Sequence, residues 1–229
     1  ICACLVGSEM CIRDRPKFIA QKLNPSQQQA VIKALNSENI GLIQGPPGTG
    51  KTKVIKEIIG QVVTKSIKTA DSPRILIVSQ SHTAVDNILE GLDSTISDDL
   101  EIVRIGADKN VSPKISCRYT MPAHRGKLFS DVKKNVEKYD KRMEEVYQDI
   151  SDQRILDRWK KIKEIQEDWI DRSVEKDCLD YQLVRSATVI AGTCVGFLAN
   201  SFVKDMEFDY VIIDEAAKAT TPELLVSCL

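Results

Sequence analysis

The sequence lacks any hydrophobic run long enough to cross a bilayer, which needs roughly 20 consecutive apolar residues. Its opening segment, residues 1–6, is too short for the apolar core of a signal peptide and has no basic stretch before it. We therefore expect neither a membrane span nor a secretory leader. We expect the protein in the cytoplasm, or in the nucleus if its source is eukaryotic.

The sequence also lacks an excess of charge of either sign, with 32 Lys and Arg against 33 Asp and Glu and a net charge of −1. A protein that holds nucleic acid statically usually carries a basic field over its surface. The balance of charge argues against that class of protein. It leaves open a motor that grips a nucleic-acid strand locally.

Metal-site patterns are missing as well. The seven cysteines are scattered, and Cys2, Cys4 and Cys11 have no His or Cys pair at the spacing of a zinc site. Cysteines further along fall in apolar or helical stretches, where we expect small buried or half-buried thiols.

The two ends do not fit the pattern between them. Residues 1–14 do not lead into the elements that follow, and we expect them to be non-native or disordered. The chain stops inside an apolar helical segment, residues 224–229, with no stop signal before it. We interpret the chain as a fragment that is truncated at its C-terminal end.

What the sequence does contain is an alternation of short apolar runs and helical patterns. Most of the runs are continuously apolar, which is typical of parallel strands buried on both faces. The alternation predicts an α/β fold, a doubly wound parallel sheet with helices on both faces. The predicted strands are residues 40–44, 75–80, 101–105, 187–193 and 210–214, and the predicted helices between some of them are residues 26–35, 51–65 and 83–92.

One region, residues 127–183, breaks the alternation. Apolar residues recur every three or four positions in residues 128–150 and again in residues 155–169, with a slip of phase at Ser151 and Asp152. Since a helix of residues 128–150 carries the chain about 34 Å at ~1.5 Å per residue, a second helix must return it to the sheet. We predict an inserted, coiled-coil-like α-helical hairpin. Its charged side is a solvated face, or a surface for nucleic acid or a protein partner.

Residues 45–52 read GPPGTGKT and fit the G-x-x-x-x-G-K-[ST] pattern of a phosphate-binding loop, between a predicted strand and a predicted helix. The glycines allow a tight turn in which backbone N–H groups point at phosphate oxygens. We expect Lys51 to reach the β- and γ-phosphates of ATP and the Thr52 hydroxyl to bind Mg²⁺. The predicted ATP-binding residues of this loop are Gly45, Pro46, Pro47, Gly48, Thr49, Gly50, Lys51 and Thr52.

The second half of such a site is the apolar strand that ends in Asp214 and Glu215. Asp214 is suited to hold Mg²⁺ directly or through water, and Glu215 to orient and deprotonate the attacking water. An apolar strand with two carboxylates at its end is only moderately specific on its own, because surface acids give the same pattern. Combined with the loop upstream, it predicts ATP hydrolysis with Lys51, Asp214 and Glu215 as catalytic residues.

Several separated strings occur in the order found in superfamily 1 helicases: LNPSQ, GLIQGPPGTGKT, SQSHTAVDN, VRIG, TCVG and VIIDEAAKATTPE. Across residues 17–229 the chain resembles the branch that contains the nonsense-mediated-decay helicase and senataxin. The resemblance implies a P-loop NTPase with a RecA-like fold that uses ATP and Mg²⁺. It further implies a helicase or translocase that moves on single-stranded RNA or DNA, in the 5′ to 3′ direction.

The resemblance implies a domain organisation as well. Residues 15–110 form the first part of a RecA-like domain, residues 111–185 the inserted helical subdomain, and residues 186–229 the remainder of the RecA-like domain. A second RecA-like domain carries the arginine that stabilises transition-state charge. Because that arginine lies outside these residues, we expect this stretch alone to bind nucleotide weakly and to hydrolyse it barely, if at all.

Two positions outside the phosphate loop are singled out by the resemblance. Gln27 matches the family's adenine-reading glutamine, since a side-chain amide can both donate to and accept from an adenine edge. The other interpretation of Gln27 is a surface residue in a helix that Ser26 caps. Lys218 stands where the family usually has a Gln that senses the γ-phosphate or couples the domains, which puts that coupling in question.

A further set of residues matches the family's contacts to nucleic acid, for which hydroxyls and the N–H groups of helix starts are suitable partners. The set is Ser81, His82, Thr83, Asp86, Gly192 and Thr193. The first three of these residues are equally consistent with a simple helix cap.

Two other functions fit parts of the sequence. Chromosome-maintenance ATPases also carry a coil between the two halves of their ATP site, but their coils are far longer and no LSGGQ string is present here. A non-catalytic module that uses bound ATP to hold a partner through the hairpin is the second alternative.

Overall fold

The computed structural model describes residues 2–4, 17–20, 23–69, 73–92, 100–106, 110–147, 152–173, 176–204 and 206–228. The chain divides into two compact units, of which the first is Ile1–Thr120 with Val184–Leu229 and the second is Met121–Leu183. A search of the described helices finds none that combines the length and the apolar character needed to cross a membrane.

The first unit is built on a six-stranded sheet with the strand order β2-β1-β6-β3-β5-β4. The four strands β6, β3, β5 and β4 are parallel to one another and alternate with helices along the chain, which confirms the predicted α/β fold class. The strands are β1 (Cys2–Cys4), β2 (Ile40–Leu42), β3 (Ile75–Ser79), β4 (Ile102–Arg104), β5 (Val189–Thr193) and β6 (Tyr210–Asp214).

Strand β1 is the exception in this sheet. It lies between β2 and β6 and runs antiparallel to both, so the sheet is mixed rather than wholly parallel. Residue 1 and residues 5–14, which belong to the segment expected to be non-native or disordered, lie outside the described residues.

The parallel strands are buried on both faces, as their continuous apolar runs predict. All five residues of β3 are buried, and Ile75 and Ile77 join a core with helix residues such as Ile55 and Leu89. The prediction of a buried strand at residues 40–44 is wrong in one respect. Since β2 lies at the edge of the sheet, Ile40 and Leu42 are 59% and 77% exposed.

The N-cap of helix α1 (Pro25–Leu35) is Asn24 rather than the predicted Ser26. The Asn24 side chain accepts a hydrogen bond from the Gln27 N–H, and the Gln27 side chain accepts one from the Asn24 N–H, which is a complete capping box. The short α4 was not predicted from the sequence. The helices of this unit are α1 (Pro25–Leu35), α2 (Lys51–Thr69), α3 (His82–Leu92), α4 (Pro113–Tyr119) and α8 (Thr221–Cys228).

The second unit contains the predicted hairpin, formed by α5 (Met121–Tyr147) and α6 (Gln153–Ser173). The rings of Tyr147 and Trp159 lie 5.3 Å apart, and Lys163 Nζ lies 3.0 Å from Glu144 Oε1. Because the residue numbers rise on one helix as they fall on the other, the helices are antiparallel. A third helix, α7 (Lys176–Ser186), follows and was not predicted as a separate element.

Candidate nucleotide and nucleic-acid site

The phosphate-binding loop occupies the connection between β2 and α2, where the sequence placed it. Gly48 and Gly50 have φ angles of 78° and 80°, in the left-handed region that side chains other than glycine rarely adopt. A Cβ atom on Gly50 would also lie 2.6 Å from Gln27 Nε2. The backbone therefore requires glycine at both positions, which explains this part of the motif.

Lys51, the first residue of α2, folds back over the loop. Its Nζ donates hydrogen bonds to the carbonyl oxygens of Gly45 at 2.8 Å and Pro46 at 2.9 Å. Thr49 Oγ1 also donates to the Pro46 carbonyl, at 2.8 Å. The ammonium group thus lies across the loop, and three donors for an anion (the Lys51 ammonium, the Thr49 hydroxyl and the start of α2) share this short segment.

Gln27 ties the start of α1 to the loop. Its Nε2 donates to the Thr49 carbonyl at 2.9 Å, while its Oε1 accepts from the Asn24 N–H at 2.9 Å. The side-chain amide is therefore engaged at both ends. These contacts give Gln27 a structural role in positioning the loop, and its reading of adenine stays a prediction.

Asp214 ends β6 and is only 8% exposed. Burial raises the pKa of its carboxyl group, while the hydrogen bond from the Glu215 N–H to Oδ1, at 2.9 Å, and the charge of Lys51 act in the opposite direction. Strand β1 pairs with both β2 and β6, with Cys2 opposite Leu42 and Ile213, so the loop after β2 and the carboxylates after β6 follow the same end of the sheet.

Glu215 adopts φ 54° and ψ 33° and is the one residue besides glycine with a positive φ in the described parts of the chain. Such backbone conformations cost energy and are concentrated at functional sites. The Glu215 carboxylate is paired with Lys218, whose Nζ lies 2.9 Å from Oε1. The residue that departs from the family pattern is therefore in direct contact with the proposed base.

Oxygen ligands of the kind that Mg²⁺ prefers are present at this site. Asp214 offers a buried carboxylate, and Thr52 is half-buried in the first turn of α2. Within the described residues, no group of three or more His, Cys, Asp or Glu side chains could hold a metal ion by itself. A donor set of one hydroxyl and one carboxylate suits Mg²⁺, which keeps waters and shares its coordination with substrate phosphates.

Register places several motif residues at one edge of the sheet. Ser79 at the end of β3 is paired with Thr193 on β5 and with Asp214 on β6. The carboxyl ends of parallel strands form the edge where ligands bind in sheets of this kind. The residues matched to nucleotide and to nucleic acid therefore meet at one edge, although they are far apart in sequence.

The residues matched to nucleic-acid contacts differ in their surroundings. Ser81 is exposed, and its Oγ accepts the Ala84 N–H at 3.2 Å, which is a helix cap for α3. Thr83 is exposed. On β5, Thr193 Oγ1 accepts the Gly196 N–H at 3.0 Å, and a Cβ on Gly192 would lie 3.2 Å from the Phe197 Cβ.

Asp86 lies inside the molecule, at 4% exposure. Its Oδ1 lies 2.9 Å from Arg104 Nε, and its Oδ2 accepts the Ser112 N–H at 2.7 Å. Arg104 is 1% exposed and donates to the Ile105 carbonyl and, at 3.1 Å, to His82 Nδ1. Both Asp86 oxygens are thus used internally, so the structure gives Asp86 partners within the protein.

The sequence did not single out two buried charged residues, Arg104 and Glu57. Arg104 stands in the quoted VRIG string, and a single cation at the end of an apolar strand was the available signal. Glu57, 0% exposed, accepts the N–H groups of Ile19 and Ala20 at 2.9 and 2.8 Å. Its position among the charges of an amphipathic helix gave no sign of this role.

Comparison with known proteins gives a family match, described as AAA domain, over residues 22–229. The chain is 30% identical over 245 residues to an uncharacterized ATP-dependent helicase of Methanocaldococcus jannaschii, covering 92% of this chain and 35% of the relative. It is 30% identical to the DNA polymerase alpha-associated DNA helicase A of Schizosaccharomyces pombe, with coverage of 93% and 30%. It is 30% identical to the regulator of nonsense transcripts 1 of Caenorhabditis elegans, with coverage of 91% and 17%. The chain thus spans about a third of the length of these relatives, or less.

Proposed function

The chain belongs to the superfamily 1 helicases of the AAA-domain family, as the first, ATP-binding domain, and on this basis we propose an ATP-dependent helicase or translocase that acts on single-stranded RNA or DNA. The observation that carries the proposal is the meeting of a phosphate-binding loop and two carboxylates at one edge of the sheet. Strand β1 links the two, since it pairs with β2, which precedes the loop, and with β6, which precedes the carboxylates.

Each residue of the ATP site has a proposed task. Lys51 exchanges a loop carbonyl for a phosphate oxygen of ATP, and the glycine-rich backbone binds the remaining phosphate oxygens. Thr52 and Asp214 hold Mg²⁺, which when bound neutralises charge on the phosphates. Glu215 orients the attacking water and takes its proton.

Two substitutions in the whole protein test these tasks. Lys51→Ala should weaken ATP binding by roughly tenfold or more, because a charged donor to phosphate is lost. Glu215→Gln should spare ATP binding and lower kcat by about 10²- to 10⁴-fold, the usual contribution of a general base. Nucleotide affinity and steady-state turnover are measured in parallel, with the exposed Glu207→Gln as the control. Full turnover by Glu215→Gln would refute the assignment of the base.

The single strand of nucleic acid is proposed to contact the same edge of the sheet through Ser81, His82, Thr83, Gly192 and Thr193. The proposed direction of movement is 5′ to 3′. Unwinding by the whole protein under single-turnover conditions, on duplexes with a 5′ or a 3′ overhang, tests this direction. Equal failure on both substrates would remove the helicase function.

The hairpin of α5 and α6 is the proposed contact for a protein partner. It carries exposed apolar residues, among them Val146, Ile162 and Ile165 at 60%, 49% and 66% exposure. We also propose that a second RecA-like domain completes the ATP site.

The proposed location of the protein is the cytoplasm, or the nucleus in a eukaryote, where single-stranded nucleic acid is available.

One observation favours a second candidate function. The Lys218–Glu215 ion pair engages the proposed base, as expected of a module that binds ATP without hydrolysing it and holds a partner. In that case Glu215→Gln would leave the cellular function intact while Lys51→Ala abolished it. If the protein is a motor, both substitutions abolish the cellular function.

A further inference from the structure

His82 is the first residue of α3, half-buried, and its Nδ1 lies 3.1 Å from Arg104 Nη2. A guanidinium group stays protonated and offers only donors. Nδ1 must therefore be the acceptor in this contact. If the ring is neutral, its single proton is on Nε2.

The other hydrogen bonds of Arg104 fix its guanidinium group in the position from which it donates to His82 Nδ1. Its guanidinium is bonded to the Asp86 carboxylate through Nε and to the Ile105 carbonyl through Nη1, and the residue is 1% exposed. Asp86 is fixed in turn by the Ser112 N–H at 2.7 Å. A buried ion pair with these additional hydrogen bonds has a defined geometry, because any shift would leave a buried charge without a partner.

We propose that Arg104 is a positioning residue for strand binding: it fixes the His82 ring with Nδ1 as the acceptor, so that Nε2–H is the donor to a phosphate oxygen of the bound strand. The inference rests on the proposed function, since it concerns how the proposed nucleic-acid edge makes one of its contacts. It adds Arg104 to the site and gives the buried Asp86 the task of holding Arg104.

The electrostatic surroundings of His82 support a neutral ring. Burial lowers the pKa of His82, the charge of Arg104 lowers it further, and Asp86 acts in the opposite direction. Because the ordinary pKa of histidine is 6.5, lowering it makes the neutral ring predominate at and above pH 7. The contact with phosphate is then a hydrogen bond from a neutral donor, available equally to RNA and DNA because both carry the phosphate.

The ring tautomer can be measured without any nucleic acid. The chain has only two histidines, so long-range ¹H–¹⁵N correlation spectra of the labelled protein resolve both rings. We expect His82 to carry its proton on Nε2 with Nδ1 unprotonated. A proton on Nδ1 at neutral pH would overturn the proposal, whether or not the protein binds a strand.

A pair of substitutions tests the donor. His82→Asn keeps an acceptor for Arg104 but has no group at the position of Nε2, whereas His82→Gln carries an amide donor that reaches further. With fluorescein-labelled oligouridylate and oligothymidylate of equal length, we expect His82→Asn to weaken binding about two- to tenfold, the effect of one lost hydrogen bond. His82→Gln should recover part of the loss. His124→Asn, the same substitution in the second unit, is the matched control and should bind normally.

Arg104→Gln tests the positioning role by its pH dependence. Asp86 then remains beside His82 while the charge that opposes protonation is gone, so the His82 pKa rises. Binding by Arg104→Gln should tighten between about pH 8 and about pH 6 as the ring becomes charged. The unaltered chain should show a smaller change, and the double variant with His82→Asn none. A profile for Arg104→Gln that matches the unaltered chain would overturn the proposal.

The outcomes separate this inference from the proposed function. If the unaltered chain binds neither oligonucleotide, the proposed function fails at this edge and the inference falls with it. If the chain binds and His82→Asn binds equally well, only the inference fails. Should Arg104→Gln not fold, the ring tautomer and the His82 variants still decide. Unequal binding of the two oligonucleotides identifies the preferred nucleic acid and leaves the phosphate contact in place.

Discussion

At the level of single residues, Lys218 is the departure from the family pattern with the most direct consequence. Its side chain is 65% exposed, and its ammonium pairs with Glu215 at 2.9 Å. An exposed pair of this kind contributes only about 0.2–1 kcal/mol. The proposed base can therefore leave Lys218 at small cost, and the ion pair is compatible with turnover.

Replacing Lys218 with Gln tests this conclusion. We expect kcat for ATP hydrolysis by the whole protein to rise by no more than about fivefold, because at most ~1 kcal/mol is released. The KM for ATP should stay nearly unchanged. Lys160→Gln on the exposed face of α6 is the control. A loss of kcat of more than about tenfold would show that the ammonium itself takes part in turnover.

The buried carboxylate of Asp214 predicts a dependence of stability on pH. Because burial raises its pKa above the ordinary 3.8, the folded chain binds the proton more tightly than the unfolded chain does. Stability due to this group therefore falls as the pH rises from 3.8 through the raised pKa, and stays low above it.

Asp214→Asn should remove that cost while keeping an oxygen that accepts the Glu215 N–H. We expect a higher melting temperature than the unaltered chain at pH 7 and above, and a difference that shrinks as the pH approaches 3.8. Thermal unfolding followed by circular dichroism across this range measures the effect, with the exposed Asp157→Asn as the control. An equal or lower melting temperature at neutral pH would contradict it.

Single residues also show where sequence reasoning reaches and where it stops. Gly48, Gly50, Lys51 and Asp214 were identified because each is part of a short local pattern with one chemical purpose. Arg104 acts through partners 18 and 22 positions away. No local spacing encodes such contacts, so only the folded arrangement reveals them.

Among the elements, helix α2 follows the phosphate-binding loop and also anchors the segment of residues 17–20. Glu57 in its middle is fully buried and accepts the N–H groups of Ile19 and Ala20 and the Gln61 amide, the last at 2.7 Å. The carboxylate therefore attaches residues 17–20 to the helix. A buried carboxylate needs such donors, since without them its burial would be costly.

Glu57→Gln should destabilise the chain by about 2–3 kcal/mol, because one oxygen is replaced by an amide that faces a backbone N–H. Urea unfolding measures the loss, and trypsin cleavage after Lys17 should become faster. Glu90→Gln is the matched control, since Glu90 is exposed and the hydrogen bond that its Oε1 accepts from Ser112 Oγ is long at 3.4 Å. An unchanged urea midpoint in Glu57→Gln would contradict the anchoring role.

The elements differ in how well the sequence predicted them. Strands β3, β5 and β6 were located because they are buried on both faces and their residues are continuously apolar. The exposure of β2 was missed, since an edge strand and a central strand can carry the same apolar residues and differ only in their neighbours. The short α4 was missed because its seven residues give too few turns for a periodic pattern.

At the scale of the whole molecule, the net charge and the residues at the proposed nucleic-acid-binding edge both predict that binding depends weakly on salt. The chain carries a net charge of −1. The proposed contacts are hydroxyls, helix-start N–H groups and a neutral imidazole rather than lysines and arginines. Such contacts hold phosphate by hydrogen bonds, and few counterions are released when the strand binds.

The affinity of the chain for a single strand should therefore depend only weakly on salt. Even two to three neutralised phosphates would give a slope of log K against log salt of only about −2, so we expect a loss of no more than roughly 15-fold between about 50 and about 200 mM. Fluorescence anisotropy with labelled oligothymidylate over this range measures the slope. His82→Asn should lower the affinity and leave the slope unchanged, because a neutral donor displaces no counterion. A slope near −5 or steeper would mean that a basic track outside the proposed edge dominates binding, and the edge would then be a minor contact.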